Sequence, residues 1–415
     1  MRVPKTMPQL RISPEIKLSS ATLPGLLLSL FLVSGRTGVG RLLPAAGAGV
    51  LLEVRLWVVI ALVGAIGAAG LNARTLPRPY DVAVACLSIA LFVTYLSLSA
   101  LWSRAPEAGL TKAYELGLLM AVVSVIYLLL GSVSGKVLER SFWRATVTLT
   151  GLLALLGVVR ILMGGEVRRL AVLGGGPNVF GRNMGLLCIG ALFFWSGGRG
   201  QKPWLGLAGV AGILVVLSGS RGAMVSLVAA LGVYATVARL GFKRLAVAVV
   251  SIAGVVIPLL LYTPVGRTAV AVYRLRVVDL LFQGYTSGRD RIYDAAIGMI
   301  SDNPVLGIGL GGFHFEGFTY PHNIFLEAFV EGGVIAVMLL TLLLGIGGAA
   351  LWRNRTALCP ATTAAWALVL VAAQFSGDFF DSRGVFIFLV LSLASAAHTH
   401  LESERQAMSV WKGGR

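Results

Sequence analysis

His322 stands between Pro321 and Asn323, ahead of Glu327 and Glu331, where a long polar stretch gives way to an apolar run. An imidazole titrates near neutral pH, which suits it to take a proton from a hydroxyl such as that of a sugar. The plainer reading, an interfacial histidine with a satisfied hydrogen bond, is the commoner one for a lone histidine. Two arginines could serve the other half of a group transfer by binding an anion. Arg221 lies in Ser218-Gly219-Ser220-Arg221-Gly222, with glycines close on both sides, and Arg289 opens a helical pattern. A guanidinium binds phosphate oxygens bidentately, and a helix start already favours an anion through its free N–H groups and dipole. The competing reading is an arginine that snorkels to lipid headgroups. Asn178, after the glycine run 174–176, is a further side chain that could reach a ligand.

Two other patterns point to less. His314, Glu316 and His322 match no common metal-ligand spacing, so no metal is expected. Gly307-Ile308-Gly309-Leu310-Gly311-Gly312 reproduces the G-x-G-x-x-G letters of dinucleotide-binding proteins. No strand precedes it and it follows a helix instead of opening one, so a tight turn back toward the bilayer is the better reading.

The elements that must position these residues are membrane helices. Of 415 residues 57% are hydrophobic and 13% charged, and mean hydropathy is +0.85, a composition no water-soluble globular domain of this size shows. A helix needs about 20 apolar residues to cross the bilayer core, and such runs recur from end to end. The continuous apolar runs predict an all-α polytopic protein of about twelve spans, near 21–35, 55–71, 79–101, 112–131, 145–163, 180–197, 203–219, 222–240, 243–262, 323–349, 361–380 and 383–400. The chain 1–415 then reads as a single integral membrane domain. Its one long interruption, 263–320, falls between the ninth and tenth spans. Within it 287–303 reads as a surface helix: Ser287 and Asp290 resemble a capping box, Ile292, Ala295, Ala296, Met299 and Ile300 form one apolar face, and Pro304 ends it. The segments 164–179, 219–222 and 263–320 follow odd-numbered spans, so they emerge on one face. The formal net charge of +17 is spread over short connections, which argues against nucleic acid. Basic loops such as Lys136/Arg140/Arg144 and Arg353/Arg355 fall on the opposite face with both termini, which makes that side cytoplasmic. Three cysteines, Cys86, Cys188 and Cys359, form no disulfide or metal pattern.

Taken together, the stretches LSGSRGAMVSL (217–227), SGRDRIYDAAIGMISDNPVLGIGLGGF (287–313) and PHNIFLEAFVEGGVIA (321–336) resemble the bacterial O-antigen ligase and O-antigen polymerase superfamily, most strongly over 170–350. A tryptophan is common in that family where this chain has Tyr293. The resemblance implies a metal-independent glycosyltransferase of the inner membrane, with a periplasmic site and no cofactor. It implies a donor glycan on undecaprenyl diphosphate and an acceptor hydroxyl, on lipid A core in a ligase or on a growing glycan in a polymerase. Carried over by position, Arg221 and Arg289, with Arg291 as a further candidate, would bind the diphosphate. His322 would activate the acceptor, with Asn323, Glu327 and Asn178 in support. Membrane lipids are the remaining partner. A secondary transporter is the reading from another class, and it calls for an inverted repeat and paired broken helices, neither visible in the sequence.

Overall fold

The computed structural model describes residues 19–34, 54–70, 79–130, 133–163, 169–173, 176–196, 202–240 and 289–413, with isolated positions at 261–262, 267, 270 and 274. The described regular structure is helical: α1 (Ser19–Val33), α2 (Val54–Gly70), α3 (Tyr80–Ser99), α4 (Pro106–Leu129), α5 (Gly135–Leu162), α6 (Gly176–Ser196), α7 (Lys202–Leu217), α8 (Arg221–Val237), α9 (Arg289–Asp302), α10 (Ile324–Arg353), α11 (Pro360–Ala372) and α12 (Gly384–Gly413). Eleven of these coincide with predicted spans, and α9 is the predicted surface helix. The span expected at 243–262 lies almost wholly outside the described residues, as do the loop 263–288, apart from those isolated positions, and the Ser287 cap. Five helices, α3 to α6 and α10, are long and apolar enough to cross a bilayer outright.

Two expectations need correction. Lys136, Arg140 and Arg144 lie on the first turns of α5 and not in a loop, because the helix begins at Gly135. The span expected at 361–380 ends at Ala372. Its remainder, 373–383, is an irregular connection to α12 whose Gly377 has φ +88°. The connection read as membrane because Phe375, Phe379 and Phe380 hold its hydropathy up. Phe379 and Phe380 are in fact buried against the bundle, edge-on to Phe92 and Phe31 with ring centroids 5.7 Å apart. Arg383 closes the connection from within. Its guanidinium is buried and donates to the carbonyls of Phe31 (2.9 Å), Leu32 (2.7 Å) and Phe380 (2.9 Å), satisfying the last carbonyls of α1.

α10 is broken. Gly333, at φ +65° and ψ −166°, separates a short upper helix, 324–332, from a lower one, 334–353, that is about 30 Å long by the helical rise and can cross the bilayer alone. The backbone groups freed at the break are taken up by the strap 304–311. Ile308 N donates to Val330 O (2.9 Å) and Val334 N to Pro304 O (2.9 Å), while the Tyr95 hydroxyl donates to Gly332 O (2.8 Å). The strap's glycines, 307, 309 and 311, all have positive φ and all press on backbone. A Cβ at these positions would lie 2.6 Å from Val330 O, 2.4 Å from Ser103 Cα and 2.5 Å from Gly109 N respectively. The G-x-G-x-x-G letters therefore encode close packing of a strap between α3, α4 and α10. At the break itself a Cβ on Gly333 would sit 2.1 Å from Val305 O. Gly333→Ala is expected to cost about 2–3 kcal/mol from the left-handed backbone and the clash together. Thermal unfolding of the purified protein in detergent checks this, and an unchanged melting temperature would refute the account of the break.

Candidate active site at the 373–381 connection

The residues singled out by sequence meet at a segment that the sequence reading passed over. Four consecutive residues after α11 receive three different elements, the head of α10 twice. Ala373 O accepts from Ile324 N (3.0 Å), Gln374 O from Asn323 Nδ2 (3.4 Å), Phe375 O from Arg289 Nη2 (2.8 Å), and Ser376 Oγ from Asn178 Nδ2 (3.0 Å). Arg221 opens α8 behind Ser220, whose hydroxyl accepts from Ala223 N and caps the helix. The next residue, Gly222, is so close to the connection that a Cβ there would lie 2.8 Å from Phe375 Cβ. Arg221, Arg289, Asn178, Asn323 and His322 are thus gathered around 373–381, on the face that parity had given the loops. Arg291 is exposed on α9, whereas Arg289 is half-buried against the connection.

α9 holds Arg289 in place through the apolar face read from the sequence. Ala296 and Met299 are buried with Ile308, Phe313 and Val330, and Ile292 and Ile300 pack beside them. An apolar groove of about 480 Å³ remains between α9 and α10. It runs from Tyr293 and Asn323 past Phe325 to Phe329 and Val337, so it begins at the site and descends along α10.

His322 is held in a conformation that needs explanation. Its φ is +62°, rare for a residue with a side chain, and its ring packs edge-on against Tyr320 at 4.6 Å. Asn323 fixes the turn, its side chain accepting from Phe325 N (2.9 Å) and Leu326 N (3.0 Å) as the cap of α10. His322 Nδ1 is buried and makes no hydrogen bond among the described residues. Burial holds the imidazole's pKa below its ordinary value, the charge of Arg289 lowers it further, and Asp381 opposes both. The histidine is therefore kept neutral near pH 7, the state a proton acceptor needs.

Asp381 is one of two carboxylates at the connection that the sequence reading missed. The signal was present as the polar letters of Ser376-Gly377-Asp378 and Asp381-Ser382-Arg383, unusual between two apolar helices. Asp378 is buried, and its Oδ1 accepts from Asp381 N (2.9 Å). A pH–rate profile should show kcat/KM flat through neutrality and falling only below the usual histidine range, as the imidazole takes its proton. Asp381→Asn removes the charge that holds that proton on, so the acid limb should move to still lower pH. A limb that stays put or moves up would show that Asp381 does not act on His322.

Glu327 does something other than support His322 directly. It lies one helical turn below Asn323, and Lys112 of α4 donates to Glu327 Oε1 and Glu331 Oε1, both at 2.6 Å. The lysine side chain is 7% exposed and the glutamates 0%. This cluster ties α4 to the upper helix 324–332, and so to His322 at its head. His314 is exposed on the 3-10 turn Gly312–Glu316. Among the described residues no group of three or more His, Cys, Asp or Glu has a metal-holding arrangement.

Fold and site together define a multi-pass helical membrane protein in which Asn178, Arg221, Arg289 and Asn323 meet at one connection. Residues 205–341 match the O-antigen ligase family model, which bears out the resemblance and covers Arg221, Arg289, Arg291, His322, Asn323 and Glu327. The 373–381 connection and Asn178 lie beyond the matched stretch. No curated protein matches the chain.

Proposed function

We propose that this protein is a glycosyltransferase that moves a glycan from undecaprenyl diphosphate to an acceptor hydroxyl at the periplasmic face of the bacterial inner membrane, with lipid A core as the acceptor. The observation that carries the reading is the meeting of Arg289, the Arg221 helix start and a neutral His322 on residues 373–381. A departing diphosphate gains negative charge, and guanidinium groups at a low-dielectric membrane edge stabilise that charge more than they would in water. His322 would take the acceptor proton as the oxygen attacks the anomeric carbon opposite the diphosphate, which gives inversion. The groove between α9 and α10 gives a lipid chain a place beside Asn323. A polysaccharide polymerase uses the same chemistry with a glycan acceptor. Among the described residues α10 is broken at Gly333 without a matched partner, whereas a transporter fold calls for a pair.

The test is complementation of a deletion strain with His322→Ala, Arg221→Ala and Arg289→Ala, each checked for normal amount in the membrane. All three are expected to lose surface glycan, and full-length product from every variant would sink the proposal. The deletion itself separates the two acceptors: loss of every capped core on a lipopolysaccharide gel marks a ligase, and cores bearing a single repeat mark a polymerase.

A further inference from the structure

Arg182 lies within a membrane-spanning helix, the second turn of α6, and the known motifs leave it without a task. It is half-buried, and among the described residues no carboxylate or carbonyl receives its guanidinium. A cation at such a depth is costly and is ordinarily kept for a partner or a ligand.

Its surroundings say which ligand. Asn178, Gly181, Arg182 and Gly185 follow the i, i+3, i+4, i+7 spacing of one helical face. Three of the four have defined neighbours. Asn178 donates to Ser376 Oγ. A Cβ on Gly181 would lie 2.7 Å from Ser218 Oγ and 2.8 Å from Ala223 Cβ, and one on Gly185 would lie 3.0 Å from Leu368 Cδ1. This stripe therefore faces α8 and α11. Ser218 and Ala223 bracket Arg221 in sequence, so Arg182 stands level with Arg221. Helical side chains lean toward their own N-terminus, which from position 182 is the direction of Asn178 and Ser376. Arg289 reaches the adjoining Phe375 O. Arg182 thus lies on the α6 face that meets the segment at which Arg289 and the Arg221 helix start converge. The acidic groups nearby are Asp381, which faces His322, and Asp378, which lies within electrostatic reach of Lys112.

We propose that Arg182 is a third guanidinium of the donor site, binding the diphosphate together with Arg221 and Arg289. This rests on the lipid-diphosphate donor of the preceding section. The glycan-linked diphosphate is a diester with two negative charges and four non-bridging oxygens. As the glycan leaves it becomes a monoester with up to three charges and a fifth such oxygen, one more than two forks cover, which gives a third arginine a distinct atom to hold.

Full-length protein in detergent, titrated with farnesyl diphosphate and with farnesyl monophosphate, tests this. Wild type should bind the diphosphate more tightly. Arg182→Gln should weaken diphosphate binding by about tenfold or more while leaving monophosphate binding less affected. Exposed Arg355, which lies over the Trp352 ring at 4.7 Å, supplies the control, and Arg355→Gln should bind as wild type does. Diphosphate binding by Arg182→Gln within about twofold of wild type overturns the inference. Should that variant fail to fold, Arg182→Lys keeps the charge and loses the fork. A drop of about threefold then supports the role and unchanged binding refutes it. If Arg221→Gln and Arg289→Gln lose binding while Arg182→Gln does not, Arg182 alone is dismissed. If wild type shows no preference for the diphosphate, the donor reading falls with it.

Discussion

Lys112→Met should be among the most destabilising single substitutions in this protein, at about 3–5 kcal/mol, because it leaves Glu327 and Glu331 as uncompensated buried carboxylates. Each glutamate already has one buried oxygen, Oε2, without a hydrogen bond among the described residues, so neither can make up the loss locally. The damage should concentrate in the upper helix 324–332, where the lysine's partners lie. Melting of the purified variant in detergent reads the cost, and limited proteolysis should cut near 320–333 first. Combining Lys112→Met with Glu327→Gln and Glu331→Gln should restore much of the stability, since the three act as one unit. Equal stability of wild type and Lys112→Met would show that the cluster holds nothing in place.

His322→Ala should lower the rate of transfer by about two to four orders of magnitude while leaving affinity for a polyprenyl diphosphate nearly unchanged. Arg289→Ala should do the reverse in part, weakening donor binding as well as rate, because its guanidinium belongs to the anion side of the site. The contrast is what assigns the roles. A His322 variant that loses diphosphate binding along with rate would mean that the histidine holds the donor, and the proton-transfer role would be withdrawn. Single-turnover measurements with a purified lipid-linked donor separate the two quantities.

The helices were legible because a bilayer demands long apolar runs, and eleven predicted spans find a helix among the described residues. α9 was legible for the same kind of reason: Ala296 and Met299 recur at helical spacing and are the residues it buries. His322 and Arg289 stood out as charged or titratable groups in a sequence that has few. The centre of the site was not legible. Hydropathy averages over a window, and three phenylalanines in 375–380 outweighed Gln374, Ser376 and Asp378, so the connection that receives every site element read as membrane. Lys112 was hidden for a related reason. Its partners Glu327 and Glu331 lie more than 200 positions away in the chain, and only packing of α4 on the upper part of α10 brings them together. The break at Gly333 did leave a local mark, the pair Gly332-Gly333 in an apolar run, but such a pair alone does not say that a helix breaks there. The strap that docks at it decides that, and glycine supplies the backbone it requires.

The strap has a consequence for how such a protein can diversify. Between residues 303 and 313 the chain is stitched by main-chain bonds to α10 and to the turn between α3 and α4, with backbone pressed on backbone at Gly307, Gly309 and Gly311. An insertion there would displace the upper helix and carry His322 away from Arg289. Relatives that accept larger or differently shaped acceptors must therefore gain their extra residues ahead of Arg289 or on other loops of the same face, and chimeras exchanging sequence within 303–313 should lose activity even when every arginine and the histidine are kept.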